Sequence, residues 1–292
     1  MVLKDPYNRP VTNIRISLTP RCNFRCIYCH REGEIKPEAE MSKEEIAEIL
    51  RVAAKFGIRS VKFTGGEPLL REDIIDIVRS VPAGMESSMT TNGTLLARYA
   101  HDLKAAGMKR VNVSIDSINR ETFKKITGFD MLGDVLEGMQ AALDAGLTPI
   151  KINMVVLEGI NDHEIDDFLT YIRNNRNLVL QLIELMNFND CHYHTRLNGL
   201  EDSLAARSKQ IITRRMHHRK KYCLDGAEVE VVRPLHNSEF CAFCNRLRVT
   251  SDGMLKPCLL RTDNHVNIRG KSGEELEELF KKAVAAREPF YK

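Results

Sequence analysis

The chain has 292 residues, 43% of them hydrophobic and 28% charged, a composition that excludes a wholly disordered protein. The 43 Lys and Arg against 40 Asp and Glu leave a net charge of only +3, which excludes a general polyanion-binding surface, so any anionic ligand must meet locally gathered cations. No apolar run is long enough to cross a membrane, and residues 1–6 lack the apolar core of a signal peptide, so we expect a cytoplasmic protein without membrane contacts.

Strand and helix patterns alternate along the first two thirds of the chain. Ser42 and Glu45 form a Ser-x-x-Glu capping box that begins a helix ending near Phe56. Strands are predicted over 13–18, 61–64, 86–90, 111–115, 149–155 and 178–184, and further helices over 72–79, 95–106, 120–126, 132–145 and 162–174. This rhythm predicts an α/β fold, a partial (β/α)6 TIM-type barrel, with a doubly wound sheet as the alternative.

Apolar and polar residues alternate along the predicted strands. A period of two places the two sets on opposite faces, so the polar set lines the interior if the apolar set packs on outer helices. That interior would hold Arg15, Lys62 and Lys151 against one acid, Asp116, an excess of positive charge that suits an anionic ligand. The alternative is an antiparallel sheet with one hydrated face.

The regular alternation of strand and helix patterns ends after the sixth predicted strand. We divide the chain into a barrel unit at 1–186, a variable basic connecting segment at 187–227 and a C-terminal unit at 228–292, with short strands over 229–232 and 247–250. The basic run at 207–221 is typical of a solvated helix face or a mobile loop. Nucleic-acid binding is disfavoured because aromatic residues are nearly absent from this run.

Six of the eight cysteines fall into two trios, Cys22-x3-Cys26-x2-Cys29 and Cys241-x2-Cys244-x13-Cys258. Clustered thiols at this low cysteine content indicate metal rather than a disulfide scaffold. A structural zinc site needs four ligands, whereas a four-iron cluster held by three thiolates leaves one iron open to another molecule. The spacing favours two reactive clusters; zinc is the alternative, with His30 or His265 as fourth ligand or with both trios merged.

Two loops carry further motifs. The first trio directly follows the first predicted strand, and the sequence Thr-Gly-Gly-Glu-Pro at 64–68 follows the second. Loops at the carboxyl ends of barrel strands build active sites, and paired glycines let the backbone approach a ligand closely. With these motifs, and with Asn-Arg-Leu-Arg at 245–248 directly after Cys244, the chain resembles the GTP 3′,8-cyclase family of the radical S-adenosylmethionine (SAM) superfamily. The resemblance runs from about 13 to 262 and is poor over 187–227.

The resemblance implies two [4Fe-4S] clusters and SAM as cofactors. The first trio, Cys22, Cys26 and Cys29, would hold the cluster that binds SAM, and the second, Cys241, Cys244 and Cys258, would hold a cluster that meets guanine. The SAM contacts it implies are Tyr28, Gly66, Ser114 and Met186, although Met186 could also be core packing. The GTP contacts it implies are Arg15, Lys62, Thr90, Lys151, Arg246, Leu247 and Arg248.

The implied activity is a radical lyase reaction. It converts GTP to (8S)-3′,8-cyclo-7,8-dihydroguanosine 5′-triphosphate, the first step of molybdopterin biosynthesis, with the first cysteine trio, Arg246 and Arg248 as the catalytic set. Arg246 and Arg248 share one strand face and present fork-like donors that suit phosphate. The implied partners are GTP, an electron donor such as ferredoxin or flavodoxin, and the next enzyme, cyclic pyranopterin monophosphate synthase.

Three features depart from the family pattern. Many members carry an arginine five residues before the methionine of the SAM site, where this chain has Gln181. The sequence at 289–292 lacks the double-glycine tail found in many members. Cys191, His192 and His194 form a metal-like cluster with no counterpart, which we interpret as a polar loop.

Two other functions remain open from the residues. One is a different two-cluster radical SAM enzyme, such as a peptide maturase, which would not require the interior arginines and lysines. The other is a zinc module that uses the run at 207–221 to bind nucleic acid.

Overall fold

The computed structural model describes residues 2–31, 39–186, 193–195, 197, 199–235 and 237–290. Within these residues the strands are β1 (Asn13–Ser17), β2 (Ser60–Thr64), β3 (Glu86–Thr91), β4 (Arg110–Ser114), β5 (Ile150–Val156), β6 (Leu178–Glu184), β7 (Gln210–Thr213), β8 (Lys220–Cys223), β9 (Glu228–Val232), β10 (Arg246–Val249), β11 (Met254–Lys256) and β12 (Val266–Asn267). They form one 12-stranded sheet in the order β12-β11-β10-β1-β2-β3-β4-β5-β6-β9-β8-β7.

The central strands of this sheet are parallel. β1 to β6 pair in chain order, β10 lies parallel to β1, and β9 lies parallel to β6. The outer pairs on both sides are antiparallel hairpins. The partial (β/α)6 barrel with a C-terminal extension is therefore confirmed, and the wholly antiparallel alternative is wrong because helices connect the successive strands.

Helices cover the outer face of the sheet. They are α1 (Lys43–Lys55), α2 (Ile74–Arg79), α3 (Leu96–Ala105), α4 (Arg120–Thr127), α5 (Leu132–Asp144), α6 (Ile165–Ile172), α7 (Leu200–Arg207), α8 (Ser238–Ala242) and α9 (Gly273–Ala285). The capping box of α1 is present, since Ser42 Oγ accepts from Glu45 N and Glu45 accepts from Ser42 N. The alternate apolar residues of the strands, such as Ile14, Val61 and Ile152, are fully buried against these helices.

The expectation for the basic run at 207–221 is wrong. The run ends α7 and forms most of the hairpin β7–β8, which extends the sheet beyond β9. Its positive charges are compensated by acids on adjacent strands and turns, as in the ion pairs of Lys221 with Glu228 at 2.8 Å and Lys209 with Asp225 at 2.7 Å. Tyr222, which is buried, provides the apolar contact of β8.

The turn of the β7–β8 hairpin contacts the segment that leads into β10. Backbone N of His217 donates to Phe243 O at 3.0 Å, in the segment between α8 and β10. The cluster proposed from Cys191, His192 and His194 lies outside the described residues, apart from His194, which is exposed. Among the described residues no helix is long and apolar enough to span a bilayer.

Candidate active site

The polar faces of the central strands line an interior cavity of about 900 Å³. All but one of the site residues predicted from the sequence line it: Arg15, Cys22, Cys26, Tyr28, Cys29, Lys62, Gly66, Thr90, Ser114, Lys151, Met186, Cys241, Cys244, Arg246, Arg248 and Cys258. The exception is Leu247, whose side chain is fully buried on the other face of β10, beside Ile14 of β1. Met186 is half-buried at the wall, so it is not a core side chain.

The loop of the first trio is fixed by its neighbours at the carboxyl end of β1. Backbone N atoms of Arg25 and Ile27 donate to Thr127 O and Ile126 O, at the end of α4. The ring of Phe24 packs edge-on against Phe123 at 5.8 Å. These contacts hold the loop to the barrel independently of any ligand.

The Gly-Gly loop packs directly against the chain that leads into Cys22. Gly66 N donates to Thr19 O at 2.7 Å, and a Cβ at Gly66 would lie 2.1 Å from Arg21 O. Only glycine fits at this distance, because a methyl group would overlap the carbonyl oxygen. The close approach sets the position of the first trio relative to β2.

Glu67 joins this loop to the end of β3. Its carboxyl group is fully buried and accepts hydrogen bonds from Leu69 N at 3.0 Å, Thr91 Oγ1 at 2.8 Å and Asn92 N at 2.6 Å. Burial raises the pKa of Glu67 to about 7, although these donors oppose the rise. Asn92 in turn places its amide nitrogen 3.9 Å from Cys22 Sγ, so the two loops form one hydrogen-bonded unit.

Tyr28 is oriented by an acid in the loop that follows β4. Its hydroxyl donates to Asp116 Oδ2 at 2.6 Å, and Val155 N of β5 donates to Asp116 Oδ1 at 2.8 Å. Burial raises the pKa of Asp116 to about 6. Asp116 therefore acts as a fixed acceptor beside the first trio, rather than as a partner of the more distant lysines.

The second trio is held by arginines that contact its backbone. Arg9 Nη1 donates to Cys241 O at 2.9 Å, and Arg287 Nη2 donates to Cys244 O at 2.7 Å. Cys241 belongs to α8, whose N-terminus is capped by the side chain of Asn237. Because both trios line the same cavity, a ligand inside it can contact both.

The thiols of the first trio suit a positively charged metal centre. None of the described cysteines is disulfide-bonded. Burial raises the pKa of Cys26, and the negative charges of Asp116, Cys29 and Cys22 raise it further, so a thiolate trio here needs a compensating cation. No described His, Cys, Asp or Glu side chains group in threes to hold a single ion. An iron–sulfur cluster binds each thiolate at a different iron, so its ligands stand apart, and the residues present fit such a cluster.

Several cations of the cavity are held by neutral side chains. Lys62 Nζ donates to Asn112 Oδ1 at 2.8 Å, and Arg246 Nε donates to Asn13 Oδ1 at 2.9 Å. Burial and then the repulsion from Arg15 lower the pKa of both cations. An amide fixes a cation without neutralising it, so this wall attracts an anion strongly.

A second group of cations surrounds an acid that the sequence analysis did not foresee. Lys151 Nζ lies 2.7 Å from Glu230 Oε1, and Arg214 and Arg219 approach the same carboxylate at 3.5 and 3.6 Å. The expectation of Asp116 as the one acid near the interior cations is therefore wrong. Glu230 comes from β9, whose register with β6 places it opposite Gln181.

Arg214 and Arg219 are two of the cavity residues that the sequence analysis missed. They flank the turn of the β7–β8 hairpin and line the cavity beside Lys151. The other strands are marked by polar residues that alternate with apolar ones. In the run at 207–221 this alternation is not visible, because nearly every second residue is basic. The pairing of the hairpin with β9, which only the fold reveals, brings Arg214 and Arg219 inward.

The sequence matches two families. Residues 16–172 match the radical SAM superfamily, and residues 178–292 match the family called Molybdenum Cofactor Synthesis C. A protein of Methanocella arvoryzae named probable GTP 3′,8-cyclase is 52% identical over 293 residues, covering 100% of this chain and 95% of that relative. A protein of Archaeoglobus fulgidus with the same name is 46% identical over 296 residues, covering 100% of both.

Solved structures share the fold at low sequence identity. SuiB of Streptococcus suis bound to S-adenosylmethionine superposes with a TM-score of 0.68 at 14% identity, over 94% of this chain and 67% of that one. The enzyme anSMEcpe with bound AdoMet superposes with a TM-score of 0.60 at 18% identity, over 92% and 81%. These likenesses show a common barrel architecture.

Proposed function

The chain belongs to the radical SAM superfamily, and from this premise we infer that it is a GTP 3′,8-cyclase, which converts GTP to (8S)-3′,8-cyclo-7,8-dihydroguanosine 5′-triphosphate in the first step of molybdopterin biosynthesis. The observation that carries this inference is the meeting of two cysteine trios and a wall of buried cations in one cavity. Relatives that align over nearly the full chain bear this name.

The cofactors are two [4Fe-4S] clusters and SAM. We propose that Cys22, Cys26 and Cys29 hold the first cluster and that Cys241, Cys244 and Cys258 hold the second. When bound, the first cluster and SAM supply one-electron cleavage of SAM and hydrogen-atom abstraction from the substrate. The protein's own part is to place the two ligands next to each other and to exclude water.

The contacts around the first trio support a SAM site there. Tyr28, Gly66, Ser114 and Met186 lie on the wall of the cavity that the first trio also lines. Gly66 lets its loop pack against the backbone that leads into Cys22, which a side chain would prevent, and Met186 offers a polarisable apolar surface. We propose that these residues orient SAM, with the Asp116 bond fixing Tyr28.

The cations of the cavity wall support a triphosphate site. We propose that Arg15, Lys62, Thr90, Lys151, Arg246 and Arg248 bind the phosphates, and that β10 presents its two arginines on one face. Leu247 contributes to this site through the packing that holds β10 against β1, since its side chain faces the core. Cations held by amides give up little hydration when phosphate binds, which favours tight association.

The wider setting is also part of the proposal. We propose that the barrel unit at 1–186 carries the SAM site and the unit at 228–292 the second cluster, joined through 187–227. We further propose a cytoplasmic location, a ferredoxin or flavodoxin as electron donor, and cyclic pyranopterin monophosphate synthase as the next enzyme.

The test is a turnover experiment with reconstituted protein. Anaerobically reconstituted, reduced protein is incubated with SAM and GTP, and 5′-deoxyadenosine and a cyclised nucleotide of unchanged GTP mass are sought by mass spectrometry. We expect both products in equal amounts. SAM cleavage that does not respond to GTP would contradict the cyclase function and direct the search to peptide substrates.

A further inference from the structure

The hairpin β7–β8 presents three arginines to the cavity, Arg214, Arg215 and Arg219, and Arg214 and Arg219 make only long ion pairs with Glu230. We propose that Arg219, assisted by Arg214, binds the phosphate groups of the substrate and supplies the positive charge that Gln181 does not. This inference rests on the proposed function, because it assumes a triphosphate substrate. It adds an element outside the central parallel strands to the binding site.

Arg219 lines the cavity with a side chain that is only 15% exposed. Its Nε is fully buried and has no hydrogen-bond partner among the described residues, so a phosphate group in the cavity is expected to contact the terminal nitrogens of the guanidinium. Donors of a buried side chain that lack good partners favour the binding of an acceptor. The Arg219 guanidinium lies 3.6 Å from Glu230, too far for a good hydrogen bond, whereas phosphate accepts from the guanidinium fork at shorter distance.

Arg219 lies among the other cations of the cavity. Its guanidinium and Lys151 Nζ lie 3.6 and 2.7 Å from oxygens of the same carboxylate, that of Glu230. Arg246 lines the same cavity. A triphosphate chain is long enough to contact several of these cations at once. A single carboxylate is too short to do so.

The hairpin turn that carries Arg219 is fixed in place. The ring of His217 stacks on Phe240 at 3.7 Å, and that of His218 stacks on Phe243 at 3.2 Å, on both sides of Cys241 and beside Cys244. Arg214 N donates to Arg219 O at 2.8 Å and closes the turn. Arg219 is thus held in position before substrate arrives, which reduces the entropy cost of binding.

Glu230 explains how these cations are kept close without substrate. Gln181 Nε2 donates to Glu230 Oε2 at 2.9 Å, and Lys151, Arg214 and Arg219 surround the same carboxylate. Burial raises the pKa of Glu230, but Lys151 and Arg219 lower it by more, so the group stays ionised. An arginine at 181 would point at these cations, whereas glutamine satisfies Glu230 and leaves Arg219 available for phosphate.

The experiment compares the binding of GTP and guanosine to anaerobically reconstituted protein by equilibrium dialysis. The variant is Arg219→Ala, and the matched control is Lys209→Ala, whose side chain is 72% exposed at the start of the same hairpin. We expect Arg219→Ala to weaken GTP binding roughly tenfold or more and to leave guanosine binding unchanged. Lys209→Ala should change neither. Unchanged GTP affinity in Arg219→Ala, or equal losses for both ligands, would overturn the inference.

A second variant separates phosphate binding from neutralisation of Glu230. If Arg219 served only to neutralise that acid, the double variant Arg219→Ala with Glu230→Gln would regain the wild-type preference for GTP over guanosine. We expect the preference to stay reduced. If Arg219→Ala does not fold, Arg219→Lys gives the same comparison, with an intermediate loss expected and none if the inference is wrong. Failure of the wild type to prefer GTP over guanosine would instead contradict the proposed function itself.

Discussion

Lys151 Nζ lies 2.7 Å from Glu230 Oε1 inside the barrel, with 12% of the lysine side chain and 1% of the glutamate side chain exposed. Removal of one partner from a buried pair leaves a charge without full compensation, which is strongly destabilising. Because Arg214 and Arg219 still face Glu230, we expect Lys151→Met to lower the free energy of unfolding by about 2 kcal/mol, below the usual range for such pairs. Urea unfolding under anaerobic conditions measures this.

The control for that measurement is a pair on the surface. Lys209 and Asp225 approach to the same 2.7 Å, with 72% and 90% of their side chains exposed. Lys209→Met should cost less than about 1 kcal/mol, since exposed ion pairs contribute little. The double variant Lys151→Met with Glu230→Gln should recover part of the loss. Equal losses for the two lysines would mean that the interior pair is as solvated as the surface one.

Variants of the two cysteine trios should lose the same amount of iron and differ in the reaction step that they lose. We expect about eight irons per chain in the reconstituted wild type and about four in Cys22→Ser or Cys241→Ser. Cys22→Ser should lose SAM cleavage, because the cluster that binds SAM would be lost. Cys241→Ser should keep SAM cleavage and lose the cyclised nucleotide. Iron analysis, 5′-deoxyadenosine release and product mass measure the three properties.

Cys223 provides the matched control for this series. It lies half-buried on β8 and does not line the cavity. Cys223→Ser should therefore retain about eight irons and both activities. Formation of the cyclised nucleotide by Cys241→Ser would remove the second trio from the substrate site.

The sequence predicts the parallel strands well because their local pattern carries the information. Alternation around Ile14 and Ile152 locates β1 and β5 and correctly assigns the faces, since a half-buried strand needs apolar residues at every second position. The capping box at Ser42 does the same for α1. In these elements local preference and tertiary packing agree.

The hairpin β7–β8 and Glu230 could not be predicted in the same way. Ile211 on β7 is 45% exposed, so the apolar alternation that would mark a strand is weak there. Glu230 sits among apolar neighbours on β9 and enters the cavity through its register with Gln181 on β6, a contact between residues 49 apart in the chain. Such pairings depend on the sheet order, which no local pattern encodes.

Arg246 should contribute to GTP affinity through its guanidinium fork. Asn13 Oδ1 accepts from Nε at 2.9 Å and Met216 Sδ accepts from Nη2 at 3.2 Å, and the side chain lines the cavity together with Arg248. We expect Arg246→Ala to weaken GTP binding by about 2–3 kcal/mol, with a smaller loss for Arg246→Lys, because lysine keeps the charge but not the fork. Arg51→Ala on the exposed face of α1 is the control, and affinity is measured by equilibrium dialysis. Unchanged affinity in Arg246→Ala would place the phosphates elsewhere.

Gly66 should be intolerant of a methyl group. The Cβ of Gly66→Ala would lie 2.1 Å from Arg21 O and 2.9 Å from Pro20 O, so the backbone that leads into Cys22 must move. We expect a loss of stability of about 1–3 kcal/mol and a loss of iron from the first trio. Thermal unfolding and iron content are measured together.

Gly133 on α5 is the matched glycine, since a Cβ there meets nothing within 4 Å. Gly133→Ala should retain full iron content and gain up to about 1 kcal/mol, because alanine favours helix. Normal iron content in Gly66→Ala would show that the approach of the two loops is not needed to form the first cluster site.

Glu67 should make the stability of the protein depend on pH between about 4.5 and 7. Burial raises its pKa from 4.5 to about 7, so the folded state binds the proton more tightly than the unfolded state. Its contribution to stability is therefore fully present below pH 4.5 and is lost as the pH rises toward 7. In Glu67→Gln this dependence disappears, and the stability of the wild type relative to the variant should fall by about 3 kcal/mol across the window.

Urea unfolding at half-unit pH steps gives the two curves, and contributions of other groups, such as Asp116, cancel in their difference. Glu44→Gln, at an exposed carboxylate in the first turn of α1, is the control and should run parallel to the wild type. Parallel curves for Glu67→Gln and the wild type would mean that the pKa of Glu67 is the same in the folded and unfolded states, with the donors from Leu69, Thr91 and Asn92 offsetting the effect of burial.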